Sequence, residues 1–284
     1  MAISQQLGTL GTLSTPCFYQ GTIWFQGTDN KLMAMPMDDP SKAFNVGGLK
    51  TLSEVAPVQG GRYMAFRGED DKMMLVTTYP PYLHGQVANE KCLSAPVPCR
   101  AYLYYHGLEN TLSRRRIDRD KLEVMIVENQ QVVDCVERPA ISERHPDRLY
   151  FKYSKGAVSR LYSLNFEEPD TLALESNGSS LYTDPDGNFW CIQDGKLTRF
   201  LYSNWQTQYT VAHADPIRPC MAPYGNDNFI YYVLSNDLYR IPKTATTIDA
   251  GRELLANYCA TSPDVQPGFV LFGGTDKKIY KLPL

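Results

Sequence analysis

The sequence predicts an all-β protein, a seven-bladed β-propeller of four-stranded antiparallel blades whose ring is closed by the N-terminal strand pairing with the C-terminal blade. Three observations support this. A hairpin motif recurs along the chain, an apolar residue closes each copy at even spacing, and a proline precedes most of the predicted first strands. Periods of this length are typical of propellers and other repeat arrays. Because the repeat runs from end to end, residues 1–284 are predicted to form a single domain.

The hairpin motif has its clearest copies at 25–32, 66–73, 105–112 and 272–279. Each begins with an aromatic residue, has a glycine two positions later and ends on an apolar residue. Weaker copies occupy the interval between the third and the last. The closing residues lie about 41 positions apart on average, as a repeat array requires. They are Leu32, Met73, Leu112, Leu161, Leu197, Leu238 and Ile279.

The first unit contains the four strands of one blade. Apolar alternation interrupted by turn residues is the pattern of short antiparallel strands. Strands are predicted at 16–19, 22–26 and 31–37 and from 43 onward. Four such strands in about 41 residues make one propeller blade.

Prolines give a second periodic mark, since proline is tolerated at the start of a strand, where no ladder donor is needed. The prolines assigned to this position are Pro16, Pro57, Pro96, Pro139, Pro219 and Pro263.

The two ends of the chain complement each other. The last unit stops after its third strand, and residues 4–13 belong to no unit. We therefore predict that 4–13 form the outer strand of the last blade and cover its open edge. Two further segments fit the repeat less well. Residues 249–260 have a helix-like composition but are predicted as a fourth strand, and 79–91 are predicted as a long loop that contacts a partner.

Composition excludes several classes of function. With 28 basic and 31 acidic residues, the chain has no overall positive field that would attract nucleic acid. It has no apolar stretch of about 18 residues and no signal peptide, so no membrane span is expected. Seven scattered cysteines predict reduced, buried thiols. We expect a monomer in the cytoplasm, or outside the cell if a signal peptide has been removed.

The segments 47–57 (from Gly-Gly-Leu-Lys-Thr to Pro) and 66–73 resemble the repeats of seven-bladed bacterial PLL-type lectins. The segment 236–241 (Asn-Asp-Leu-Tyr-Arg-Ile) resembles blades of TolB-like and domain-of-unknown-function bacterial propellers. Both resemblances imply the propeller fold, and the lectin resemblance implies binding of fucose or related sugars. The lectin repeats carry tryptophan in nearly every blade, whereas this chain has only Trp24, Trp190 and Trp205.

No motif of the chain predicts a metal or a cofactor. Residues 184–188 (Asp-Pro-Asp-Gly-Asn) alternate oxygen-bearing side chains as a calcium loop does, but Gly195 stands where its twelfth ligand belongs. We therefore predict a plain turn there. The histidines at 84, 106, 145 and 213 lack metal-ligand spacing. Nucleophile-elbow, P-loop and dinucleotide-binding motifs are missing from the sequence as well.

Candidate binding residues are those that break the repeat. In a propeller the hairpin between the second and third strands and the start of the first strand lie on one face. Arg67 and His106 occupy the hairpin position, and Arg138 and Arg218 lie just before an assigned proline. We predict that these four surround a channel mouth that binds a small polar or anionic ligand. The alternative is a water-filled channel that tolerates any polar residue.

These observations favour a non-catalytic binding protein over an enzyme. The expected ligand is a carbohydrate, bound at the channel mouth or between blades. Two alternatives stay open: a propeller lyase or hydrolase that uses the channel mouth, in which arginines stabilise an anionic intermediate and His106 moves a proton, and a scaffold that binds a protein partner.

Overall fold

The computed structural model describes residues 3–58, 60–108, 111–117, 124–132, 138–141, 144, 149–155, 158–165, 168–174, 178–201, 204–211, 224–226 and 228–284. These residues form an all-β antiparallel β-propeller with four-stranded blades. The strands pair into seven four-stranded sheets.

Each sheet contains four strands in antiparallel order. The first strands are β2 (Cys17–Tyr19), β6 (Ala56–Pro57), β10 (Val97–Cys99), β14 (Ala140–Ile141), β18 (Ser179–Thr183), β22 (Tyr224–Gly225) and β26 (Asp264–Gln266). The second strands are β3 (Thr22–Gln26), β7 (Tyr63–Arg67), β11 (Tyr102–His106), β15 (Leu149–Lys155), β19 (Phe189–Gln193), β23 (Phe229–Leu234) and β27 (Phe269–Gly273). The third strands are β4 (Lys31–Pro36), β8 (Lys72–Thr77), β12 (Thr111–Ile117), β16 (Val158–Asn165), β20 (Lys196–Leu201), β24 (Asp237–Pro242) and β28 (Lys278–Pro283). The fourth strands are β5 (Phe44–Lys50), β9 (His84–Lys91), β13 (Val124–Val132), β17 (Glu168–Leu174), β21 (Asn204–Val211), β25 (Glu253–Ala256) and, in the last sheet, β1 (Gln5–Gly11).

The recurring motif forms the hairpin between the second and third strands, as predicted. In the first sheet Gln26 pairs with Leu32, and Gly27 N donates to Lys31 O at 2.8 Å. Asn30 adopts the left-handed conformation (φ 62°), which asparagine tolerates better than most residues. The Asp29 carboxylate accepts a hydrogen bond from Lys31 N at 3.2 Å. Asp29 therefore stabilises this hairpin.

A repeated hydrogen bond joins each of four hairpins to the segment that leads into its first strand. A Ser or Thr hydroxyl accepts a hydrogen bond from the last backbone N–H of the second strand, at 2.9 to 3.1 Å. The pairs are Ser14 with Gln26, Ser53 with Arg67, Ser94 with His106 and Thr261 with Gly273. This bond holds the hairpin and the start of the first strand together at the same end of the sheet.

The core lies between neighbouring sheets. Trp24 of β3 packs with Phe66 of β7, and Trp190 of β19 packs with Tyr232 of β23, all of them fully or almost fully buried. Burying one such side chain stabilises the fold by about 1.5–3 kcal/mol.

The N-terminal strand pairs with the last sheet, as predicted for residues 4–13. β1 runs antiparallel to β28, with Leu7 opposite Ile279. The Leu7 side chain is buried in a cluster with Ile23 of the first sheet. One strand thus contributes hydrogen bonds to the last sheet and packing to the first.

Three details differ from the sequence predictions. His84–Lys91, predicted as part of a loop, is strand β9, which leaves a shorter loop before it. In the second repeat the first strand begins at Ala56, so Pro57 lies inside the strand rather than before it. β22 begins at Tyr224 and not directly after Pro219, which lies outside the described residues. Residues 249–260 do contain the predicted strand, β25.

The cysteines in the described part of the chain form no disulfide bond with one another. Cys92, Cys99, Cys191 and Cys259 are buried and Cys17 is half-buried, which agrees with the predicted core role. The remaining two cysteines lie outside the described residues. Over the same ranges, no helix has the length and apolar character needed to cross a bilayer.

Candidate functional site

The candidate site is built on one equivalent position in the first strand of every sheet. In each second strand, one residue pairs with the closing apolar residue of the hairpin. The residue two positions before it pairs with the first-strand residue that defines the site. We call these seven the inner-ring positions. They are Cys17, Ala56, Val97, Ala140, Tyr182, Tyr224 and Asp264.

The inner-ring positions divide into two chemically different halves. The second, third and fourth sheets contribute small apolar residues, whereas the fifth, sixth, seventh and first contribute polar ones. First strands line the central channel of a propeller. The inner-ring positions therefore comprise a polar half with four functional groups and an apolar half with little side-chain volume.

Asp264 is the charged member of the polar half. Its side chain reaches the neighbouring first strand, where Oδ2 accepts a hydrogen bond from Phe18 N at 2.7 Å, and Oδ1 accepts one from Gln266 Nε2 at 2.8 Å. The residue is 7% exposed. Burial raises the pKa of Asp264 to about 6, and the two donors offset part of this rise. Its carboxyl group therefore titrates close to neutral pH.

Tyr182 and Tyr224 stand side by side, and Tyr224 interacts electrostatically with Asp264. Their rings lie 5.3 Å apart between centroids, and Tyr182 donates a hydrogen bond to Gly225 O at 3.1 Å. Burial raises the pKa of both phenols, and the negative charge of Asp264 raises that of Tyr224 further. Both phenols are consequently protonated at neutral pH and act as hydrogen-bond donors.

Cys17 completes the polar half and is electrostatically coupled to its neighbours. Burial, followed by the charge of Asp264, raises the pKa of its thiol, and Arg138 opposes the rise. A thiol with a raised pKa is a poor nucleophile because the thiolate is the reactive form. Cys17 is therefore a neutral wall residue of the site.

Arg138 brings a positive charge to this site. It lies two residues before Ala140, and its guanidinium forms an ion pair with Glu54, which lies two residues before Ala56. Arg138 Nη2 also lies 3.5 Å from Pro96 O, on the sheet between these two. Surrounding protein lowers the pKa of Arg138 to about 10 by desolvation, although 40% of its side chain remains accessible. Arg138 stays charged at neutral pH.

The predicted site residues differ in where they lie. Arg67 is tied to its own hairpin, with Nε 2.8 Å from Asp71 Oδ1, and its Nη1 donates to Leu93 O at 3.2 Å. His106 is buried, and its backbone N–H donates to Ser94 Oγ at 3.1 Å. Arg218 lies outside the described residues. Arg138 lies beside the inner strands, as described above. Because Arg218 is not described, the cluster of all four residues stays a prediction.

Asp264, Tyr224 and Glu54 were not predicted as site residues from the sequence. Pro57 was assigned to the position before the first strand, but it lies inside that strand, and Glu54 precedes Ala56 by two residues as Arg138 precedes Ala140. The cause is a longer turn in the second repeat, where Val58 pairs with Tyr63, whereas Tyr19 pairs with Thr22 in the first repeat. Counting back from the hairpin glycine with an allowance for this turn would have aligned Glu54 with Arg138.

The Asp184 segment is a turn, as predicted. Gly187 N donates to Asp184 O at 2.8 Å, and Asp184 Oδ2 accepts a hydrogen bond from Trp190 Nε1 at 2.9 Å. Lys243 Nζ supplies the cation beside these carboxylates, 2.9 Å from Asp186 Oδ2. Over the described ranges, no group of three or more His, Cys, Asp or Glu side chains could hold a metal ion.

Comparison with known proteins finds similarity at the level of structure. No protein-family model matches the chain, and no curated protein matches it in sequence. A catalytically inactive virginiamycin B lyase from Staphylococcus aureus, solved with quinupristin, aligns over 100% of both chains with a TM-score of 0.70 and 14% identity. An oligogalacturonate lyase from Vibrio parahaemolyticus aligns over 99% of this chain and 93% of its own, with a TM-score of 0.68 and 13% identity. A streptogramin B lyase aligns over 99% and 97%, with a TM-score of 0.63 and 14% identity. The chain shares the fold of propeller lyases.

This similarity corrects the predicted function. The prediction of a non-catalytic, lectin-like carbohydrate-binding protein is wrong, because the solved structures that share the fold are lyases and favour the enzyme alternative. The resemblance to TolB-like propellers and PLL-type lectins finds support only in the propeller fold. At 13–14% identity the comparisons establish the fold alone. The case for an activity therefore depends on the residues of the site.

Proposed function

We propose that this protein is a propeller enzyme of the lyase type, with its active site formed by the polar half of the inner-ring positions together with Arg138. The observation that carries the proposal is the buried Asp264 carboxyl, whose pKa of about 6 suits proton transfer near neutral pH. Groups whose pKa values are perturbed in this way gather at active sites. The lyases that share the fold supply the reaction class.

The proposed chemistry is an elimination. Asp264 accepts a proton from a substrate carbon, the electrons of the C–H bond form a C=C bond, and the bond to the leaving group breaks. The leaving oxygen takes a proton from Tyr224, whose raised pKa keeps it protonated until then. The Arg138 guanidinium stabilises the negative charge that develops on the substrate.

We further propose that the seven sheets are the seven blades of one closed ring and that 1–284 is one domain. Support comes from packing between consecutive sheets, including Trp24 with Phe66 and Trp190 with Tyr232, and from β1, which pairs with β28 while packing on Ile23. A closed ring places every inner-ring position around one channel. The expected monomeric state, the cytoplasmic location and the absence of nucleic-acid and membrane partners stay predictions.

The proposal is tested by assaying eliminative cleavage of oligogalacturonate and of quinupristin, the compounds associated with the similar lyases. Product formation is followed by ultraviolet absorbance of the new C=C bond and by mass spectrometry. We expect Asp264→Asn to lower kcat by about 100-fold or more. Asp249→Asn, on an exposed turn, is the matched control and should retain activity. Cleavage of neither compound, or equal rates for wild type and Asp264→Asn, would contradict the proposal.

A further inference from the structure

The Arg138–Glu54 ion pair joins the same position of two sheets that are not neighbours. Each residue lies two positions before an inner-ring residue, Arg138 before Ala140 and Glu54 before Ala56. The third sheet lies between them, and the Arg138 side chain passes it at Pro96, whose carbonyl oxygen is 3.5 Å from Arg138 Nη2. The pair therefore spans the apolar half of the channel wall at its mouth.

Both partners of this pair remain accessible. The Arg138 side chain is 40% exposed and that of Glu54 is 27% exposed. Ion pairs that water can reach contribute little net stability, because solvent screens the attraction and two long side chains must be held in one geometry. Replacing Glu54 by another anion thus requires only side-chain rearrangement. A molecule entering the mouth meets this pair before it reaches the inner-ring residues.

We propose that Arg138 is a binding site for a carboxylate-bearing ligand, and that Glu54 fills this site as an internal carboxylate until the ligand displaces it. The guanidinium offers a planar fork of donors that matches a carboxylate, and Glu54 already demonstrates that a carboxylate fits there. The inner-ring residues next to the pair, Ala56, Val97 and Ala140, have small apolar side chains that carry no charge to compete for the guanidinium. The inference rests on the proposed function for the route by which the ligand enters, and it deepens that function by naming the chemical class.

The competition predicts that removing the internal carboxylate strengthens binding. Succinate serves as the probe, titrated into the full-length protein by calorimetry with ionic strength held constant by sodium chloride. Glu54→Gln keeps the shape of the side chain and removes its charge. We expect Glu54→Gln to bind succinate about 10-fold more tightly than the wild type. Adding Arg138→Gln to that variant should abolish binding.

The matched control is the ion pair between Arg240 and Glu253, on the third and fourth strands of the sixth sheet, with Arg240 Nη2 2.7 Å from Glu253 Oε2. Glu253→Gln removes the same charge from a similarly exposed pair and should leave succinate affinity within about 2-fold of the wild type. Inorganic phosphate is titrated in parallel, because its affinity separates recognition of a carboxylate from recognition of any anion.

Equal succinate affinity in wild type and Glu54→Gln would overturn the proposal, as would binding that survives Arg138→Gln or phosphate binding tighter than succinate. If Glu54→Gln does not fold, succinate affinity is compared between the wild type and Arg138→Gln. Binding that is retained in Arg138→Gln would overturn the proposal. The result is independent of catalysis. Tighter succinate binding without any eliminative cleavage would remove the proposed enzyme and leave the carboxylate site.

Discussion

Asp264→Asn tests the unusual environment of this carboxyl through its effect on stability. The pKa of Asp264 is raised from its ordinary 3.8 to about 6 because the folded protein desolvates it. Between these two values the folded state binds more protons than the unfolded state. The stability that Asp264 contributes is therefore present below pH 4 and is lost as the pH rises towards 6. Asparagine carries no charge at any of these pH values, so the variant lacks this loss.

The expected magnitude follows from the size of the shift. A pKa displaced by about 2 units corresponds to about 3 kcal/mol, at about 1.36 kcal/mol per unit. We subtract the free energy of unfolding of Asp264→Asn from that of the wild type. This difference should fall by about 3 kcal/mol between pH 4 and pH 7, because only the wild type loses stability through this group. Taking the difference between the two proteins cancels the titration of all other groups.

Urea unfolding at half-unit steps from pH 4 to 7.5 measures this difference. The same series on Asp249→Asn, an exposed turn residue, controls for the change in net charge. A difference that stays flat to within 1 kcal/mol would refute the argument that burial controls Asp264. A slope of opposite sign would mean that the hydrogen bonds from Phe18 N and Gln266 Nε2 outweigh desolvation and stabilise the carboxylate.

Two other predictions concern the scaffold. Deleting residues 1–14 removes β1 and exposes the edge of β28, so the truncated protein should dimerise or aggregate in light scattering and melt at a lower temperature; a monomer with unchanged melting would contradict the closure. Lys243→Met removes the cation beside the buried Asp184 carboxylate and should cost about 3–5 kcal/mol in urea unfolding. Lys42→Met, at an exposed ion pair with Asp39, should cost at most about 1 kcal/mol, and equal costs for the two variants would show that the buried pair is not special.

The scaffold could be predicted because its signals are local. A hairpin is specified within eight consecutive residues, as in 25–32, and the residues that close and cap it recur in sequence. Strand β25 was predicted by register alone, against a helix-like composition, because the fourth strand of a blade has to be paired. Tertiary pairing outweighs local propensity in such segments.

The site could not be predicted to the same extent because it is assembled from distant parts of the chain. The Asp264 carboxyl accepts a hydrogen bond from Phe18, 246 positions away in sequence. Its burial, and hence its pKa, depends on that contact and not on any neighbouring motif. Arg138 was identified because it breaks the repeat, whereas its partner Glu54 was not, because the longer turn of the second repeat shifts its place relative to the assigned proline. Arg67 breaks the repeat as well, yet its pairing with Asp71 matches the bond from Gln26 to Asn30 and serves the hairpin.

The central claim is that Asp264 transfers a proton in the channel, and the pH dependence of kcat/KM for eliminative cleavage tests it most directly. With Asp264 as the base, kcat/KM should rise with pH to a plateau, with a midpoint near the pKa of about 6. Asp264→Asn should lose this limb and most of the rate. A midpoint that persists unchanged in Asp264→Asn would contradict the account, because another group would then carry the proton.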